Sequence, residues 1–553
     1  MQFNYHLLKF GISKGHKISN QKCFHQLSSI RSQNLLNEPH RPQPQPQPTV
    51  FSRVTNENLR YIHVGTPVGV ITQYGRIHHQ ARLSTLGELK LPDHEESNPL
   101  DYQVTVKGRD VIRAAHEPKI EYWLPQSNLD LLLPALDAGV FFCYDAKEDG
   151  SMSPETIVKN MKKSLAGVLS TFYPLAGEIA SNGQGEPEVL CNNNGVEFVH
   201  AHADVELKML DLHHPDETIK GKLVPKITRG VLSVQVTELN YGAIILSCAF
   251  DHRIADGASL NMFLVAWAEF TRLKNISIIP RFRPSILNPR RPPYYNTIYD
   301  NLYLPISSLP PPPPFEDQLH SRIYYIRAES ISKLQSEAIS KENSRRSKFV
   351  SFTAFVWKLI AQDNGNHEPN TTSRMGVVVS GRQFLSGNNE KESSMFANHF
   401  GNILSVPYEV MNNQDLQDMQ LHEVANKVHE FVSEVKTQEH FKGLIDWVEM
   451  HRPEPAVAKV YFKLQESDGE AVVVSSGQAL PINDTNFGLG QPNFGSYHFP
   501  WGGQTGYITT MPSAKKNGDW IVYAHLKQKH LDLIESKARH VFNPITTSYL
   551  SFN

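Results

Sequence analysis

Ala243-Ile-Ile-Leu-Ser-Cys-Ala-Phe250, followed by Asp251-His252-Arg253-Ile254-Ala255-Asp256-Gly257, is the stretch on which the reading of the fold turns. The first eight residues carry no charge and are almost all apolar, which fits a strand buried on both faces. From Leu260 onward the apolar residues fall at helical spacing: Leu260, Phe263, Leu264, Trp267 and Phe270 share one side. His252 therefore sits where a buried strand breaks toward a helix. Such a break holds a side chain rigidly while leaving it open to a cleft. Taken alone, His-x-x-x-Asp-Gly also admits a plainer reading, a core histidine beside a helix-capping aspartate.

Working outward, Gln103-Val104-Thr105-Val106-Lys107 alternates like a half-buried strand. Ser153, Pro154 and Glu155 are the N-cap, first-turn proline and first-turn acid of a helix. Its stripe is Ile157, Met161, Leu165, Val168, Leu169 and Phe172, and Pro174 ends it. In the second half, Ser351 is expected to start a helix carrying Phe355, Val356, Leu359 and Ile360. Another is expected from about Leu421 to Lys436, and Ile521, Tyr523 and His525 alternate as in a strand. Strands and helices mix in both halves, which predicts an α/β class with two domains of similar size.

The chain has 553 residues, too many for one compact core. Two composition shifts suggest the boundaries. Up to Asn37 there are basic residues (Lys9, Lys14, Lys17, Lys22, Arg31) and no acidic one, then the alternation Pro42-Gln-Pro44-Gln-Pro46-Gln-Pro48. Residues 1–101 read as a disordered or transit-like extension. Between about 280 and 320 lie Arg283-Pro284, Arg291-Pro292-Pro293 and the run Pro310 to Pro314, which no helix or central strand tolerates. The expected division is 102–280, a Pro-rich crossover at 281–321, and 322–553.

Lys plus Arg total 54 and Asp plus Glu 56, a net charge of −2. That balance offers no concentrated basic surface for nucleic acid. The four cysteines (Cys23, Cys143, Cys191, Cys248) form no CxxC pair, so a metal site or disulfide framework is not expected, and buried thiols in a reducing compartment are. No run of 18 or more apolar residues suggests a membrane span.

The motifs taken together resemble the BAHD acyltransferases of plants. His252 to Gly257 matches that family's HxxxDG. Tyr173-Pro-Leu-Ala-Gly177 resembles its YPLAGR element, with Glu178 where Arg is usual. Asn398-His-Phe-Gly-Asn402 resembles its FGN segment, and Asn486-Phe487-Gly488-Leu489-Gly490-Gln491-Pro492 its DFGWGKP motif. The order and separation along the chain make the likeness specific from about residue 102 to the end. Within the family it is nearest to coniferyl alcohol acyltransferase-like proteins, through Trp123-Leu-Pro-Gln-Ser-Asn-Leu-Asp-Leu-Leu132, Phe141-Phe-Cys-Tyr144, Leu223-Val-Pro-Lys226 and Phe494-Gly-Ser-Tyr-His-Phe-Pro-Trp-Gly-Gly503. Condensation domains of peptide synthesis place a second histidine where Asp251 stands. Lipoyl-type acyltransferases carry the motif near the C-terminus rather than mid-chain.

The resemblance implies two chloramphenicol-acetyltransferase-like domains of mixed sheets flanked by helices. It implies acyl transfer from acyl-CoA, a co-substrate rather than a bound cofactor, to the hydroxyl of a small alcohol, with no metal. His252 would be the base. Asp256 would turn away to pair with Arg382, in Val379-Ser380-Gly381-Arg382, or else orient the histidine directly. Gly257 would allow the tight turn. Alignment through Leu480-Pro481-Ile482 places Ser475 as a possible oxyanion donor and Gly477 where relatives carry Trp. Asn486 and Leu489 replace the usual Asp and Trp beside Phe487, Gly488 and Gly490. Tyr497-His498-Phe499-Pro500-Trp501 reads as a flank for an aromatic acceptor or as core. A cytoplasmic monomer acting on a phenylpropanoid alcohol is the expectation. Alternatives are shikimate or quinate as acceptor, a non-catalytic partner protein, and organelle targeting by the N-terminal extension.

Overall fold

The computed structural model describes residues 101–550, except 117–121, 146–152, 311–317, 340–344, 363–370, 387–389 and 466–467. The expected N-terminal extension, all but its last residue, and Pro311 to Pro314 lie outside the described residues.

Two mixed sheets organise the described chain. The apolar run becomes the strand Ile244–Asp251, every residue buried. It pairs antiparallel with Asp137–Tyr144 on one side and Leu232–Leu239 on the other. Val196–Ala203 and the mostly exposed edge strand Val104–Ile112 extend the sheet outward. The sixth strand, Phe494–His498, comes from the C-terminal half and pairs antiparallel with Asp137–Tyr144. Helices Pro154–Leu169 and Gly257–Leu273 pack together. The first is capped by Ser153, whose hydroxyl accepts from the Thr156 amide, and its stripe Ile157, Met161, Leu165, Val168 and Leu169 is buried.

The second sheet has seven strands in the order Tyr408–Asn412, Thr372–Val377, Glu470–Ser476, Gly506–Pro512, Trp520–Lys527, Leu319–Ile326 and Asn543–Pro544. Its parallel pairs are Thr372–Val377 with Glu470–Ser476, and Glu470–Ser476 with Gly506–Pro512. Trp520–Lys527 is buried from Trp520 to Leu526 rather than alternating. Helix Lys348–Ile360 packs against helix Leu421–Glu434.

Three helix boundaries differ from the sequence reading: helix Pro154–Leu169 stops short of Pro174, leaving Phe172 of its expected stripe buried beyond the helix end. Ser347, not Ser351, caps Lys348–Ile360: its Oγ accepts from the Val350 amide at 3.2 Å. Ser351 lies inside, fully buried, donating to the Ser347 carbonyl at 3.0 Å. Helix Leu421–Glu434 has Val435 as its C-cap, so Lys436 lies beyond it. The described part of the Pro-rich crossover has structure of its own. Tyr303–Pro305 pairs with Ala456–Ala458, and Arg290 holds the buried Asp446 through Nε at 2.5 Å and its backbone amide at 2.8 Å.

Candidate active site

The loop that carries His252 is fixed from every side. The Asp251 carboxylate closes the turn by accepting from the Arg253 amide at 3.0 Å and the Arg253 guanidinium at 2.6 Å. The His252 amide donates to the Leu136 carbonyl at 2.8 Å, just beyond the adjoining strand. Behind the loop, the Asn402 side-chain amide donates to the carbonyls of His252 at 3.0 Å and Arg253 at 3.3 Å. Asn402 is itself anchored by the buried carboxylate of Asp130, which accepts from the Asn402 amide at 2.7 Å and from its side chain at 3.0 Å.

Asp256 is 1% exposed and caps the following helix, accepting from the Ser259 amide at 3.0 Å. Arg382 grips the same carboxylate with both terminal nitrogens: Nη2 meets Oδ1 at 2.9 Å and Nη1 meets Oδ2. Arg382 Nη2 also donates to the Gly401 carbonyl at 2.9 Å. Burial alone would raise the Asp256 carboxyl; Arg382, with the Ser259 and Ile403 amides, outweighs it and holds the group below its ordinary value. Asp256 thus ties the loop to the second half of the chain and accepts no hydrogen bond from the His252 ring. Gly257 opens the helix, and a Cβ there would stand 3.6 Å from the Tyr497 hydroxyl.

The His252 ring remains partly exposed, with Nδ1 enclosed, which leaves Nε2 as the nitrogen a substrate can reach. Burial pushes the imidazole below its ordinary value, while its own carbonyl, Asp256 and Asp251 pull it partway back. It is therefore neutral at pH 7 and able to accept a proton. The Phe499 ring lies 6.1 Å from the His252 ring, and the Tyr507 ring 5.2 Å beyond that.

Ser475 is reached through this aromatic series. Its Oγ shares a 2.6 Å hydrogen bond with Thr509 Oγ1, and both hydroxyls lie beside the Tyr507 phenol. Burial raises Tyr507 against the opposing pull of the Ser475 and Thr509 hydroxyls, so the phenol stays neutral. Sequence reasoning did not single out Tyr507 or Thr509; their strand, Gly506–Pro512, is buried continuously from Ile508 to Met511 and shows no alternation that would mark them. A Cβ at Gly477 would stand 2.9 Å from both the Tyr497 ring and Thr509 Cγ2. Tyr497 fills that space and donates to Asn261 Oδ1 at 2.9 Å.

The Asn486–Gly490 segment packs against the helix behind the loop. Asn486 Oδ1 accepts from the Gly488 amide at 2.8 Å and the Gly490 amide at 3.2 Å. Both glycines have positive φ, 90° and 92°, where a side chain would be strained. A side-chain oxygen is what this turn needs, so Asn serves where Asp is usual. Phe487 meets Trp267 edge-on at 4.9 Å, and Leu489 is buried in the first core. Cys143, Cys191 and Cys248 are buried free thiols. Among the described residues no group of three or more His, Cys, Asp or Glu is placed to hold a metal.

A cavity of about 400 Å³ adjoins Arg382 on the side of the second sheet. Val377 to Ser380, Phe384, Lys436 and the first turn of helix Lys348–Ile360 line it. A helix N-terminus with a nearby lysine suits a phosphate-bearing ligand.

A family model described as the Transferase family matches residues 102–541. Hydroxycinnamoyltransferase 1 of Oryza sativa subsp. japonica is 26% identical over 454 residues, spanning 78% of this chain and 98% of that protein. Among solved structures, vinorine synthase superposes with a TM-score of 0.61 at 21% identity, covering 81% of this chain and 100% of that one. F. graminearum TRI101 complexed with coenzyme A and T-2 mycotoxin gives 0.63 at 12%, covering 76% and 99%.

Proposed function

Since the chain belongs to the Transferase family, the BAHD acyltransferases, we propose that it esterifies a phenylpropanoid-type alcohol, such as coniferyl alcohol, from an acyl-CoA. The observation that carries this reading is His252: neutral, partly exposed, and clamped at the end of a buried strand. A neutral alcohol is a poor nucleophile. His252 Nε2 takes its proton as the oxygen attacks the thioester carbonyl, a contribution of typically about 10²–10⁴-fold. The imidazolium then returns the proton to the departing CoA sulfur. With both substrates bound together no covalent enzyme intermediate is required.

The cavity beside Arg382 is the site we assign to the donor, its phosphates toward Lys436 and the helix N-terminus. Phe499, and Tyr507 next to it, supply flat apolar surface beside His252, which suits an aromatic acceptor. Ser475, Thr509 and Tyr507 form a hydroxyl cluster from which the developing oxyanion draws a donor. The same reading takes the protein as a cytoplasmic monomer without bound cofactor, with domains 102–280 and 322–553 joined by 281–321.

Incubation with a panel of acyl-CoA thioesters and alcohols tests the proposal. Turnover of aromatic primary alcohols above shikimate and quinate supports it. Preference for shikimate or quinate would move the acceptor assignment, and no ester with any pair would favour a non-catalytic partner role.

A further inference from the structure

A second cavity, of about 520 Å³, lies between the segment Pro125 to Asn128 and the described part of the crossover, apart from the donor cavity. That volume is in the range of small-metabolite sites, typically about 300–1,000 Å³. Four guanidinium groups line it: Arg283, Arg290, Arg291 and Arg452. Two are committed. Arg452 grips Glu186 with two 2.6 Å hydrogen bonds and donates to Asn128 Oδ1 at 2.8 Å. Arg290 holds Asp446 and Glu439, each at 2.5 Å, with its Nη2 enclosed and unpartnered. The side chains of Arg283 and Arg291 make no hydrogen bond or ion pair with any described residue, and both are exposed. Glu449 is the single carboxylate in the described lining, and it already accepts from Asn128 Nδ2 at 3.1 Å.

The wall nearest His252 is Gln126, which is 5% exposed. Its side-chain amide donates to the Arg253 carbonyl at 3.0 Å, one residue past His252, while its Oε1 is enclosed and accepts nothing. The cavity wall is therefore hydrogen-bonded to the catalytic loop.

We propose that this cavity binds a small molecule bearing a phosphate or carboxylate, and that its occupancy is transmitted to His252 through Gln126. Two uncommitted guanidiniums facing one space match the forked geometry of such oxyanions. The braced pair beneath them, Arg290 and Arg452, keeps the walls in place when the ligand is absent.

Calorimetric titration of the full chain with sodium pyrophosphate and, in a second arm, sodium malonate tests this and separates a phosphate source from a carboxylate one. Saturable binding of either probe, weakened at least about tenfold in Arg283→Gln/Arg291→Gln, is expected. Circular dichroism establishes that the variant is folded. Equal binding by the variant, or no binding of either probe, overturns the proposal. Displacement of the probe by CoA would place it in the donor cavity and overturns it too. Turnover at saturating substrates should change at the probe concentration that half-fills the site. An unchanged turnover overturns the coupling through Gln126, whatever the acceptor proves to be.

Discussion

Arg382→Ala removes a guanidinium that meets both oxygens of a carboxylate 1% exposed, and strands that charge in the interior. Stranding one partner of a buried pair typically costs about 3–5 kcal/mol. The lost bond to the Gly401 carbonyl at 2.9 Å also loosens the segment carrying Asn402, which clamps the His252 carbonyl. Most of the cost belongs to the uncompensated Asp256 charge, so it should be recoverable. Asp256→Asn in the same molecule removes the charge and keeps an N-cap for Ser259. The double variant should therefore regain at least about 2 kcal/mol over Arg382→Ala alone, a clear departure from additivity. Urea denaturation of the unmodified protein, both single variants and the double variant measures this directly. A cost below about 1 kcal/mol for Arg382→Ala, or strictly additive losses, would refute the bracing role. If Asp256→Asn kept its stability but lost turnover, Asp256 would be the partner of His252 instead.

Three further outcomes follow from the same geometry. Burial lowers His498 to about 3, and His399 and His440 to about 4, so their neutral forms stabilise the fold above pH 6.5 and that stability drains away as the pH falls toward these values. At pH 5.5 each costs about 1.4 kcal/mol relative to neutral pH, and a urea midpoint unchanged between pH 7.5 and 5.5 would contradict it. Asn486→Ala should lose about 1–2 kcal/mol because two turn amides lose their acceptor, whereas Asn486→Asp should stay within about 0.5 kcal/mol; thermal melting checks both. The acid limb of kcat/KM should fall below pH 6.5, since burial depresses His252; a limb above that value would mean the ring is not the titrating base.

The strand-loop-helix around His252 was legible because two periodicities meet there, a continuous apolar run and then a 3.6-residue stripe. The Asp256–Arg382 pair was legible only through likeness to a family, since nothing in the sequence joins positions 126 residues apart. Three things escaped. The sheet takes Phe494–His498 from the far half of the chain, and strand pairing at such separation leaves no local trace. Helix Lys348–Ile360 starts one turn earlier than expected because Ser347 and Ser351 are equally good caps by type, and only burial of Ser351 separates them. The clamp of Asp130 and Asn402 behind the His252 loop depends on two buried polar side chains in contact, which a linear reading cannot pair.

Ester formation by His252→Ala, with an acyl-CoA and an alcohol that the unmodified protein turns over, is the decisive measurement. Loss of at least about 10²-fold in kcat, with the fold intact, is the expected result. An unaltered rate would mean that the imidazole at the end of the buried strand does not take the proton.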